Sequence, residues 1–229
     1  MEPPVRNLAW WAKRHFGALR SVSFVLCASP ALWLAAEWFA GALGVNPLNR
    51  LLHFSGSWAL ILLLVTLTVT PARRASVCIA QVVHARYGKR VSDWNWLIRL
   101  RRQFGLFAFF YACLHLGLYL AFDAGLDVAA IVEDLRERPF MLVGIVAFVL
   151  MLPLAATSNQ ASMRALGQGW RRLHTLVYPI AILVLVHFWL HTKLSQATPL
   201  PYTVAVVLLL AARLVAWRRG ERGIEVGER

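Results

Sequence analysis

Three histidines carry most of the chemistry open to this sequence. His115, His174 and His187 each lie in or beside a long apolar run. An ionisable side chain inside a membrane helix is costly and usually functional. Neutral imidazole is also a common ligand for haem iron. His115 stands 13 residues beyond Arg102, and His187 stands 15 beyond Arg172. At the helical rise these are depths of about 20 and 22 Å from a basic edge. Two imidazoles at one depth on neighbouring helices can grip a porphyrin iron from both sides. That bis-histidine, b-type arrangement transfers electrons and leaves no open position for substrate. The competing reading is a hydrogen-bonded polar pair that stabilises a helix bundle.

His174 lies 13 residues before His187, about 20 Å along the same helix. A second porphyrin could sit there, but the matching position on the other helix is Arg102 or its neighbours, none of them histidine. The residues leave several readings open. His174 ligates alone, pairs with another group, touches a different cofactor, or caps a helix end near Trp170. His191 is four residues past His187 and shares its face, yet it falls near a span end, as His53 does. Both read first as interface residues. His15 and His84 stand in basic segments and read as solvated.

The elements that must position these side chains are membrane helices. The chain has 229 residues, of which 59% are hydrophobic and 15% charged, with a mean hydropathy of +0.58. That composition excludes an ordinary soluble domain. The net charge of +13 does not point to nucleic acid, because the basic residues cluster between apolar runs. The positive-inside rule accounts for them better, and lipid headgroups or a flavin phosphate are the further partners open to them. The three cysteines, Cys27, Cys78 and Cys113, are scattered, and no Cys-x-x-Cys-His occurs. Covalent c-type haem attachment and a structural disulfide are therefore not expected. No Gly-rich dinucleotide fingerprint and no P-loop is present, nor any internal repeat.

Apolar runs fall at 21–43, 53–70, 103–122, 140–156, 173–194 and 202–217. Pro30 is expected to kink the first, and Pro71 to close the second. The fifth is expected to be the helix around which the others are arranged. Twenty of the 24 Lys and Arg residues then fall on one side and four on the other. The expected fold is an all-α membrane protein: a six-transmembrane-helix bundle with both termini cytoplasmic. It forms a single domain over 1–229, with a basic N-terminus at 1–20 and a tail at 218–229. The acidic loop 123–138 is expected to carry a short amphipathic helix through Val128, Ile131, Val132 and Leu135.

An ordered series of motifs resembles one family. They are Gly56-x-Trp58-Ala59-Leu60 with Thr70-Pro71, then Arg101-Arg102-Gln103-Phe104-Gly105-Leu106 and Tyr111-Ala112-Cys113-Leu114-His115. Arg138-Pro139, Pro153-Leu154-Ala155-Ala156-Thr157-Ser158 and Leu166-Gly167-x-x-Trp170-x-x-Leu173-His174-x-x-x-Tyr178 follow, and His187 closes the series. Together, from about Gly56 to Tyr202, they resemble the MsrQ (YedZ) family. These are haem-binding membrane subunits of bacterial periplasmic methionine-sulfoxide reductase systems, within the wider ferric-reductase-like transmembrane group. The resemblance implies a multi-pass protein of the bacterial inner membrane with haem b and FMN as cofactors. It implies electron transfer without a catalytic site of its own. The donor would be the quinone pool or a cytosolic flavin reductase, and the acceptor a periplasmic molybdenum-containing methionine-sulfoxide reductase subunit. His115, His174 and His187 match the family's histidines. His115 and His187 would ligate a haem iron, and His174 would serve a second haem or a flavin. The segment between Pro71 and Arg101 looks longer than the family's, which bears on how a donor or flavin docks. Two rivals remain at this stage: a stand-alone ferric or metal reductase, and a proton-coupled transporter without haem.

Overall fold

The computed structural model describes residues 8–85, 87–191 and 198–218, and among them there is no strand. A short basic helix, α1 (Leu8–Arg14), precedes α2 (Phe16–Phe39). Then come the long α3 (Pro47–Val82), a 3-10 turn (Val91–Trp94) and α4 (Asn95–Leu118). α4 runs on through a π-helical turn at Tyr119–Asp123. Next are α5 (Val128–Glu137), α6 (Pro139–Ala156), and the short α7 (Gln160–Leu166) and α8 (Gln168–His174). The described chain ends with α9 (Val177–His191) and α10 (Leu200–Arg218). Five segments among the described residues are long and apolar enough to cross a membrane: α2, α3, α4 with its flanking turns, α6, and α8 with α9. The apolar part of α10 is shorter, at Leu200–Val215.

Local sequence explains the boundaries. Asn46 caps α3 by accepting from the Asn49 N–H, and Pro47 fills the first helical position, where its missing N–H costs nothing. Asp127 caps α5 in the same way through the Ala129 N–H at 2.8 Å. The amphipathic helix expected in the acidic loop is therefore present. Gly167, at φ +48°, separates α7 from α8, a conformation that glycine adopts without the steric penalty of a Cβ.

Two boundaries depart from the sequence reading. Pro71 does not close the second span, since α3 continues through it to Val82. The first part of the 71–101 segment, as far as Val82, is thus an extension of α3 beyond the apolar region. Arg73, 5% exposed, ties that extension to the start of α4 by donating to the Val91 carbonyl at 3.0 Å and to Asn95 Oδ1 at 2.6 Å. The second departure is the fifth run, which is not one helix: α8 ends at His174 and α9 starts at Val177. Pro179 is the cause. It has no N–H to offer the Thr175 carbonyl, and its ring crowds that carbonyl. Arg86, Lys193, the far end of the fifth run at Leu194 and the tail past Arg218 lie outside the described residues.

α3, rather than the fifth run, is the central element. It is the most buried of the spans and touches α2, α4, α9 and α10. The two most extensive pairings are α3 with α4 and α6 with α9. Leu62, Leu63 and Leu67 of α3, Ala108 and Tyr111 of α4, Met151 of α6 and Ile180 and Ala181 of α9 form the shared core. Apolar side chains such as Val25, Leu32, Val207 and Leu208 point outward, as lipid-facing surfaces require.

Pro30 lies inside α2, and Tyr111 compensates for the disturbance it makes. The fully buried Tyr111 hydroxyl donates to the Cys27 carbonyl at 2.8 Å and accepts from the Ala31 N–H at 2.9 Å. Those two backbone groups would bond to each other in an uninterrupted helix. A side chain from α4 is thus inserted into the ladder of α2, which is a recognised cause of helix bending.

Candidate functional site

His115 sits in the last turn of α4 and faces α3. Its Nδ1 lies 2.9 Å from the Leu52 carbonyl and 3.3 Å from Ser55 Oγ. Ser55 is itself fully buried and donates back to Leu51 O at 2.8 Å. On the other helix pair, His187 of α9 faces α6, with Nδ1 2.7 Å from the Phe140 carbonyl. A carbonyl can only accept, so in both rings Nδ1 carries the proton and Nε2 keeps its lone pair. Metal-binding imidazoles are held this way, with one nitrogen tied to a backbone carbonyl and the other free to ligate.

The two rings are neighbours, set edge to face. Their centroids are 6.2 Å apart and their planes are 87° from parallel. An imidazole nitrogen binds a metal ion at about 2 Å and lies about 1 Å from its ring centre, so one ion between two rings separates the centres by about 6 Å. The observed spacing meets that requirement. Among the described residues, no three His, Cys, Asp or Glu side chains converge on a site for a bare metal ion. Two imidazoles alone suit an iron whose remaining positions a porphyrin fills. The residues present therefore fit a haem.

The structure brings two further histidines near this pair. His191 stacks one turn beyond His187, with centroids 6.5 Å apart, and Phe140 packs against both rings. His53 is within electrostatic range of His115 and His191. Its Nδ1 is 3.4 Å from Ser57 Oγ, and its buried Nε2 has no hydrogen-bond partner among the described residues. A cavity of about 280 Å³ opens beside it, lined by Asn46, Arg50, Phe54 and Trp58 among others.

His174 is not part of that group. It closes α8, beyond the break at Thr175, and stacks on Trp170 with centroids 4.0 Å apart. Its Nε2 is 3.1 Å from Thr157 Oγ1, whose hydroxyl already donates to the Pro153 carbonyl at 2.6 Å. Trp170 Nε1 in turn donates to the Thr157 carbonyl at 3.0 Å. His174 thus presents an Nε2–H to an acceptor, the reverse of His115 and His187. Arg101 lies within electrostatic range of it.

Comparison with known proteins narrows the reading. Residues 55–186 match the family described as the ferric reductase like transmembrane component. The chain is 41% identical over 204 residues to a protein of Azospira oryzae, covering 88% of this chain and 81% of that one. It is 42% identical over 214 residues to one of Bordetella pertussis, covering 90% and 95%. A protein of Rhodospirillum rubrum is 40% identical over 206 residues, covering 89% and 91%. All three are named protein-methionine-sulfoxide reductase heme-binding subunit MsrQ. The chain belongs to the MsrQ family. No solved structure matches it. As an MsrQ-family protein with five helices among the described residues able to span a bilayer, it is a multi-pass inner-membrane protein. The family match at 55–186 takes in His115 and His174 and stops one residue short of His187.

Sequence reading found the three histidines and missed what holds them. The carbonyls of Leu52 and Phe140 carry no signal in residue type. Gly56 stood out only as the first residue of a motif, and Gly144 did not stand out at all, because one glycine in an apolar helix has many explanations.

Proposed function

We propose that this chain carries electrons across the membrane through a b-type haem held by His115 and His187. The carrying observation is the pair of rings 6.2 Å apart, each with Nδ1 tied to a backbone carbonyl. A haem bound there would accept and release one electron at a time at its iron. The protein's part is to hold both imidazoles in one tautomer and to surround them with apolar side chains. A haem held by both imidazoles would be left with no open position for a substrate. The chain then serves as the electron-transfer subunit of an oxidoreductase and not as its catalytic subunit.

The arrangement is six spans in one domain over 1–229, with α10 as the sixth and both termini in the cytoplasm. The split of Lys and Arg supports this. Alkaline phosphatase, active only in the periplasm, reports it directly. A fusion at Gly125 is active and a fusion at Gly88 is inactive; the opposite pattern inverts the topology.

The relatives' shared name implies a methionine-sulfoxide reductase catalytic subunit as acceptor. A periplasmic, molybdenum-containing subunit is the proposed partner, and quinol or a cytosolic flavin reductase the proposed donor. His174 belongs to a second cofactor at the basic end, either FMN or another haem. Its stacking on Trp170 and its nearness to Arg101 favour a flat anionic group there. His174→Ala tests the assignment while the His115–His187 spectrum stays in place. Loss of one haem per chain assigns a second haem, and loss of FMN assigns the flavin. Retention of both removes His174 from any cofactor.

The function is tested in proteoliposomes holding the purified chain and reduced quinol. The reduced haem spectrum should persist until the catalytic subunit and a methionine sulfoxide are added, and then reoxidise. Reduction of ferric chelates by the chain alone would instead assign a stand-alone ferric reductase.

A further inference from the structure

The surroundings of His115 and His187 repeat each other. Leu52 precedes Gly56 by four residues, and Phe140 precedes Gly144 by four. In both cases the carbonyl contacts the Nδ1 of a histidine on the facing helix, and the glycine backbone comes close to the same ring. A Cβ built on Gly56 would stand 3.2 Å from His115 Cε1 and Nδ1. One built on Gly144 would stand 2.7 Å from His187 Nδ1 and 2.8 Å from Cε1. A helix carbonyl has a second lone pair beyond its ladder bond. Normally the side chain one turn later obstructs the approach to it; glycine removes the obstruction.

We infer that Gly56 with the Leu52 carbonyl, and Gly144 with the Phe140 carbonyl, are two matched cradles. They position the imidazoles, fix Nε2 as the ligating nitrogen of each, and hold the ring planes perpendicular. The cradles lie on the two most extensive helix pairs, α3 with α4 and α6 with α9. The site is thus built from the same device used twice. The inference rests on the haem reading above. It assigns a positioning role to two glycines that touch neither iron nor substrate.

The cradles are not equally tight. At Gly144 a methyl group cannot enter unless the ring moves, whereas at Gly56 a shift of a few tenths of an ångström suffices. Gly105, also in α4, supplies a control, since a Cβ there would meet its nearest neighbour, Thr66 Cγ2, at 3.7 Å.

Electron paramagnetic resonance of the oxidised, haem-loaded protein reads the ring planes. Perpendicular imidazoles give low-spin ferric haem with a single large-gmax feature; near-parallel ones give a rhombic triplet. The wild type and Gly105→Ala should show the large-gmax signal at equal haem content. Gly144→Ala should lose it, either with the haem or by conversion to another low-spin signal. Gly56→Ala should keep its haem and shift the signal toward rhombic. A haem-free wild type would overturn the underlying reading. A haem-loaded wild type with a rhombic signal, or alanine variants identical to wild type, would overturn the cradles alone. If Gly144→Ala does not fold, the Gly56→Ala signal decides.

Discussion

Replacing either His115 or His187 with alanine abolishes the b-type absorbance of the purified protein. The two rings lie 6.2 Å apart, and in the proposed site each would supply one of two protein ligands. Neither loss can be covered from nearby. Among the described residues no third His, Cys, Asp or Glu converges with them, and His191 is displaced by a full turn. The effect on haem content is therefore close to total, well beyond the fold-change of a weakened contact. His191→Ala and His53→Ala, at the same end of the bundle, keep the spectrum. Pyridine haemochrome quantification of the variants, at matched protein concentration, makes the comparison. Retention of haem in His187→Ala together with loss in His191→Ala would move the ligand one turn outward.

Tyr111→Phe should be the most damaging conservative change in the core. The substitution removes one oxygen atom but leaves the Cys27 carbonyl and the Ala31 N–H without the hydroxyl that joins them. A buried polar group left unsatisfied costs about 1–3 kcal/mol. Partial closure of the α2 ladder would recover some of that, so a net loss of about 2 kcal/mol is expected. For a chain of this size that lowers the apparent Tm by about 4–8 °C, measured by thermal unfolding in detergent. A shift under 1 °C would mean that the α2 ladder closes fully behind the missing hydroxyl. The haem spectrum at low temperature should not change, because Tyr111 lies one turn from His115 and acts on α2.

Much of this was legible in the sequence, for identifiable reasons. Apolar runs report membrane helices because an unsatisfied backbone group cannot be left in lipid, so α2, α4 and α6 fall close to where hydropathy puts them. His115 and His187 were legible because histidine is expensive inside a span and both count back to an arginine pair at similar depth. The failures came where a local rule met tertiary structure. Proline was expected to end the second run, yet α3 passes through Pro71 with its extension tied down by Arg73. Proline was given no weight in the fifth run, yet Pro179 breaks it. The silence on what Gly56 and Gly144 do has another cause. A glycine's role as a cradle depends on which ring lies opposite, and only the packing of α3 on α4 and of α6 on α9 reveals that.

The proposed electron path needs iron protoporphyrin held between His115 and His187. A dithionite-reduced minus oxidised visible spectrum of the wild-type protein, purified in detergent from haem-replete cells, tests it most directly. A b-type spectrum with at least one non-covalent haem per chain is expected. A colourless protein, purified intact and folded, would contradict it.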